Sequence, residues 1–88
     1  MIEQRIRELQ IKLPKPMNTS QLPFKLARMD GNLLYLSGHV PTQPDGSISN
    51  VRGKVGETVS LEQAEQCASD IALGMLASIK AELGDLDR

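Results

Sequence analysis

The spacing of apolar positions changes several times along the chain, and each change marks an element. Ile2, Ile6 and Leu9 stand at i, i+4 and i+7, with Glu3, Arg5, Arg7 and Glu8 between them. That is one face of a 3.6-residue period and predicts a short amphipathic helix over 2–10. Such helices mostly serve packing, so this one is expected to dock over an edge of the domain. LPKPMNTSQLP, residues 13–23, then carries Pro14, Pro16 and Pro23. Proline cannot continue a helix, so the stretch reads as an extended connector.

At FKLARM, 24–29, the period becomes two: Phe24, Leu26 and Arg28 alternate with Lys25, Ala27 and Met29. DGN, 30–32, places Asp-Gly at the end of this run, and LLYLS, 33–37, follows. Asp-Gly between two such runs is a strong hairpin signal, because glycine tolerates the positive φ that tight turns need. The turn type stays open. The returning strand is apolar enough to be covered on both faces. TQPDGSISN, 42–50, reads as a loop turning at Pro44-Asp45-Gly46, and VRGKVG, 51–56, as a short third strand interrupted by glycine.

The longest element is a helix over 61–83. Ser60 and Gln63 have the S-x-x-Q spacing of a capping box, and Gly84 is placed to stop the helix in a left-handed conformation. Ala64, Ala68, Ile71, Met75, Ile79 and Leu83 form one stripe, widened by Cys67, Ala72 and Leu76. Gly74 costs about 1 kcal/mol relative to alanine inside a helix, which points to close packing at that position. Strands followed by a helix across them make an α+β domain. One sheet face would be covered by the long helix, and the other needs a partner.

Size sharpens that demand. A chain of 88 residues buries roughly 60–65% of its unfolded surface, so a solitary core is marginal and association is the usual remedy. Cys67 is the only cysteine and His39 the only histidine, so neither disulfides nor a Cys/His metal site are expected. Packing is the expected role of Cys67. Ten basic and eleven acidic residues give a net charge of −1, and Phe24 and Tyr35 are the only aromatics. This argues against a basic nucleic-acid surface and against base stacking. The apolar runs are too short for a membrane span and the charged start MIEQRIRELQ lacks the apolar core of a signal peptide, so the expected location is cytoplasmic.

GNLLYLSGHVP, 31–41, followed by GKVG and SLEQAEQCASDIALGMLASIKAELGDLD, resembles the first half of the Rid family. These are the reactive-intermediate deaminases, also called YjgF-like and, in older labels, endoribonuclease-like proteins. The resemblance runs from about Phe24 to Asp87, and the leading helix is similar to that of one subgroup. It implies a chorismate-mutase-like α+β fold, here its N-terminal part, assembled as a homotrimer with a ligand cleft between subunits. It also implies hydrolysis of enamine and imine intermediates such as 2-imino acids to keto acids and ammonia, without a cofactor. By the same resemblance Ser37 and Gly38 line the cleft. Phe24 stands where a tyrosine is common, and His39 where a glutamine is common. Two groups of the family's second half, an arginine that clamps the substrate carboxylate and a late glutamate, have no counterpart in these residues.

Phe24, Ser37, Gly38 and His39 are thus the candidate substrate-binding residues, and no residue qualifies as catalytic. Ser37 could donate to a ligand carboxylate or satisfy its own backbone. It is no hydrolase nucleophile, since no G-x-S-x-G elbow surrounds it. His39 has no orienting partner visible in sequence and reads as a partly exposed histidine beside a loop. VRGKVG lacks the spacing of a phosphate-binding P-loop. Three readings remain: a Rid-type deaminase, a non-catalytic binding or structural oligomer on the same scaffold, and a truncated family member without separate activity, held together by association.

Overall fold

A computed structural model describes residues 1–17 and 23–88; the part of the predicted connector at 18–22 lies outside the described residues. Four elements follow in order: α1 (Ile2–Glu8), β1 (Ala27–Asp30), β2 (Leu33–Leu36) and α2 (Leu61–Leu83). The α+β class is as expected, built from two helices and one antiparallel two-stranded sheet.

Both helices end as their backbone chemistry requires. In α1, Gln10 takes a left-handed conformation at φ 56°, the Ile11 amide donates to the Ile6 carbonyl, and the Gln10 amide donates to that of Arg7. This is a Schellman closure made without glycine. At the start of α2 the Ser60 hydroxyl accepts the Gln63 amide at 3.1 Å, and Gln63 Oε1 accepts the Ser60 amide at 2.8 Å. Gly84 closes α2 at φ 84°. The capping box and the stop are where the sequence placed them.

The hairpin pairs Ala27 with Leu36, Arg28 with Tyr35, Met29 with Leu34 and Asp30 with Leu33. Two residues make the turn. Gly31 has φ 60° while Asn32 keeps a negative φ, the pattern of a type II′ turn, whose twist matches that of the strands. Pairing begins at Ala27, later than the alternation at Phe24 suggested. The Pro44-Asp45-Gly46 turn forms as expected: the Gly46 amide donates to the Gln43 carbonyl, and Asp45 accepts both the amide and the hydroxyl of Ser47. Those two bonds hold the Asp45 carboxyl below its ordinary pKa.

Three expectations need correction. VRGKVG does not form a third strand. Its Lys54 carbonyl collects the amides of Glu57, Thr58 and Val59, and Val55 meets Val59 in a single bridge. Gly53 and Gly56 both have positive φ, so the segment curls on itself instead of extending beside β2. The expected stripe of α2 is covered only in part. Ala77 and Ser78, beside the stripe, are its buried residues; Ala64, Cys67, Ile71, Met75, Leu76, Ile79 and Leu83 are half-buried, and Ala68 and Ala72 are exposed. Nor is the expected close approach at Gly74 found: a Cβ there would meet the Thr42 hydroxyl at 3.4 Å, an ordinary contact.

α2 packs against β1 more than β2. Glu82 accepts the outward-facing Met29 amide at 3.2 Å and so occupies the open edge of β1. The apolar core is thin: Leu26, Ala27, Val59, Ala77 and Leu86. Of the returning strand, Leu33, Tyr35 and Leu36 are exposed and Leu34 half-buried, so within this chain LLYL is not covered on both faces. α1 buries no residue. It is held by polar bonds, since Glu3 accepts the Leu86 amide and pairs with Lys80 at 3.1 Å, and Asp87 accepts the Glu3 amide.

Candidate functional site

His39 leaves the hairpin two residues after Ser37, and both of its ring nitrogens are engaged. Nδ1 lies 2.8 Å from the Ser37 carbonyl oxygen and Nε2 lies 2.9 Å from Ser78 Oγ. A carbonyl only accepts, so the proton of the neutral ring belongs on Nδ1. Nε2 is then an acceptor, and the Ser78 hydroxyl donates to it. Thus the Ser37 carbonyl fixes the tautomer, and Ser78 on α2 holds the other side of the ring. His39 is half-buried and Ser78 is 6% exposed.

These two side chains sit in the wall of a cavity of about 170 Å³ lined also by Lys15, Met17, Phe24, Leu26, Gly38, Val40, Thr42 and Gly74. The wall is mostly apolar. Among the described residues its polar side chains are those of Lys15, His39, Thr42 and Ser78, the composition of a small-molecule site in which a few groups set orientation. Lys15 arrives from the connector, whose backbone is pinned by its own amide on the Pro44 carbonyl at 2.9 Å. The connector then lies against Gly46, where an added Cβ would stand 2.9 Å from the carbonyl oxygens of both Lys15 and Pro16.

Three of the four residues singled out in sequence, Phe24, Gly38 and His39, therefore line one cavity. Ser37 is not among its lining residues. Its hydroxyl donates to the Lys25 carbonyl at 2.6 Å and its amide to the Leu26 carbonyl, so these two groups serve the hairpin, and only its carbonyl turns to His39. Phe24, half-exposed, offers its ring from beyond the paired part of β1. Sequence reasoning missed Ser78, Lys15 and Thr42. Ser78 had a signal, since Gly74, Ala77, Ser78 and Ala81 form a helical row of small residues, though a longer apolar stripe runs beside it. Lys15 and Thr42 carried no signal beyond residue type.

No arginine lines this cavity. Arg52 spends its guanidinium on the carbonyls of Ser49 and Val51, and Arg28 is exposed on the sheet. Among the described residues no group of three His, Cys, Asp or Glu side chains could hold a metal ion, and no helix is long and apolar enough to cross a membrane. Cys67 is free and half-buried on α2.

No protein-family model matches the chain, and neither does any curated protein. Among solved structures the chain is similar to the protein Atu1372 of Agrobacterium tumefaciens, whose function is unknown. The two are 38% identical with a TM-score of 0.73, over 97% of this chain and 50% of that one. The chain thus spans half the length of its structural relative and shares the fold of that half.

Proposed function

We propose that this is a Rid-type small-molecule protein: a chorismate-mutase-like domain, assembled as a homotrimer, that takes a small carboxylate-bearing ligand into the cavity beside His39. The resemblance of GNLLYLSGHVP and the long helix motivates the family. The observation that carries the site is the cavity itself, where Phe24, Gly38 and His39 meet the ammonium-bearing Lys15 in a largely apolar wall. An ammonium on an apolar wall is a point-charge partner for a carboxylate, without the forked geometry of a guanidinium. The reaction class that goes with the family is hydrolysis of an imine or its enamine tautomer. Water adds to the C=N carbon, and the adduct breaks its C–N bond to leave a keto acid and ammonia.

A second reading, binding without turnover, is favoured by one specific observation: no arginine lines the cavity. One experiment separates the two. A 2-imino acid is generated in the presence of the purified protein and its loss followed, while thermal unfolding is recorded with the corresponding keto acid. Faster loss than in buffer supports the deaminase. Stabilisation without faster loss supports the binder, because a ligand at 100 times its Kd raises stability by about 2.7 kcal/mol. Absence of both effects overturns the site assignment.

A further inference from the structure

We propose that Ser78 and His39 form a nucleophile–base pair able to accept an acyl group from a small activated ester in the 170 Å³ cavity. The proposal goes beyond imine hydrolysis and does not depend on it. An activated serine requires a base within hydrogen-bond reach and a third group that orients the base. Both are present. Ser78 Oγ is 2.9 Å from Nε2, and the opposite nitrogen is held 2.8 Å from the Ser37 carbonyl. The tautomer is the productive one, because Nδ1 carries the proton and the Nε2 lone pair faces the hydroxyl. The serine is nearly shielded from bulk water yet lines the cavity, so an entering ester would meet it with its competitor, water, partly excluded. Lys15 is the cationic residue among those described in the same wall, and positive charge there favours the oxyanion that forms.

The step balances within these groups. Ser78 Oγ bonds to the ester carbonyl carbon as its proton passes to Nε2; the C–O bond to the leaving alcohol breaks, and Nε2 returns the proton to that oxygen. Water, deprotonated in turn by Nε2, then cleaves the acyl-serine to a carboxylic acid and regenerates the hydroxyl. The orienting group at Nδ1 is a neutral carbonyl, where the serine-protease triad has a carboxylate. It stabilises the imidazolium less, so the pair should acylate in a burst and deacylate slowly.

A buried serine also needs a partner merely to satisfy its hydroxyl, and the experiment must distinguish that role. The intact chain is treated with p-nitrophenyl acetate, the release of nitrophenolate is timed, and the acetylated residue is mapped by peptide mass spectrometry. The expected result is a burst approaching one equivalent with acetate on Ser78. Ser78→Ala should abolish the burst, and His39→Gln should slow it by about 10²-fold, the usual contribution of a general base. Acetate found on Lys15, another lysine or Tyr35 but not on Ser78 overturns the proposal, as does an undiminished burst in Ser78→Ala. The mapping uses the unmodified protein, so the result stands even where a variant folds poorly.

Discussion

Ser37 and Ser78 are the same chemistry, yet one is consumed by the backbone of its own hairpin and the other meets an imidazole across the fold. Glycines divide in the same way. Gly46 stands at φ 89° with two backbone oxygens 2.9 Å from where a Cβ would be, whereas nothing lies within 4 Å of a Cβ on Gly38. A side chain at Gly46 is strained by its own backbone and pushes the connector away. Gly46→Ala should therefore destabilise the chain by about 2 kcal/mol or more, and Gly38→Ala by no more than about 0.5 kcal/mol. Urea midpoints of the two variants, compared with the parent, check this. Because Gly46 supports the connector that carries Lys15, its substitution should also weaken carboxylate binding.

At the scale of elements, the extent and caps of α2 were legible, its most buried side was not, and α1 was legible only in part. The caps of α2 depend on residues within one turn of its ends, so Ser60, Gln63 and Gly84 could be read locally. The attachment of α1 could not. Glu3 joins residues more than seventy positions away, and its carboxyl is held below the ordinary value of 4.5, first by the Leu86 amide and then by Lys80. The folded-state pKa is therefore lower than the unfolded one. The docking contribution is present above the ordinary glutamate range and is lost as pH falls through the folded value. Acidification should loosen α1 before α2 melts, seen as early loss of hydrogen-exchange protection at the Leu86 amide. Glu3→Gln should show the loosened state at neutral pH and little further change on acidification. A Leu86 amide protected equally at both pH values would remove Glu3 as the clasp.

At the scale of the whole molecule, the chain exposes more than a compact monomer of its mass should. Its accessible surface is 6552 Å², against about 5,100 Å² from the mass scaling of folded monomers. Its radius of gyration is 14.1 Å, against about 12 Å for a compact chain of this length. The excess, about 1,450 Å², is larger than the roughly 800 Å² each partner contributes to a standard interface. Part of it is apolar: Leu33 is 61% exposed and Tyr35 56%, side by side on one face of β2. Association through that face, as the trimer reading requires, should survive dilution to micromolar concentration in native mass spectrometry. Leu33→Glu combined with Tyr35→Glu should convert the assembly to monomer. A parent chain that is monomeric and unfolds cooperatively would overturn the association.

What the amino-acid sequence determined by itself was everything that depends on neighbours a few residues apart. The two helices, the ends of the long one, the Asp-Gly hairpin and the Pro-Asp-Gly turn follow from periodicity, capping and the φ that glycine permits. So does the α+β class. Tertiary structure decided what depends on which surfaces meet. The most deeply buried residues of the long helix, Ala77 and Ser78, lie beside the apolar stripe, whose large residues are only half-covered within this chain. VRGKVG curls into a turn because the Lys54 carbonyl found three amides nearby. The cavity draws on the connector, the strand exit, the loop at Thr42 and the middle of α2. No local pattern in the sequence encodes such a convergence, because it exists only once those segments have been folded against one another.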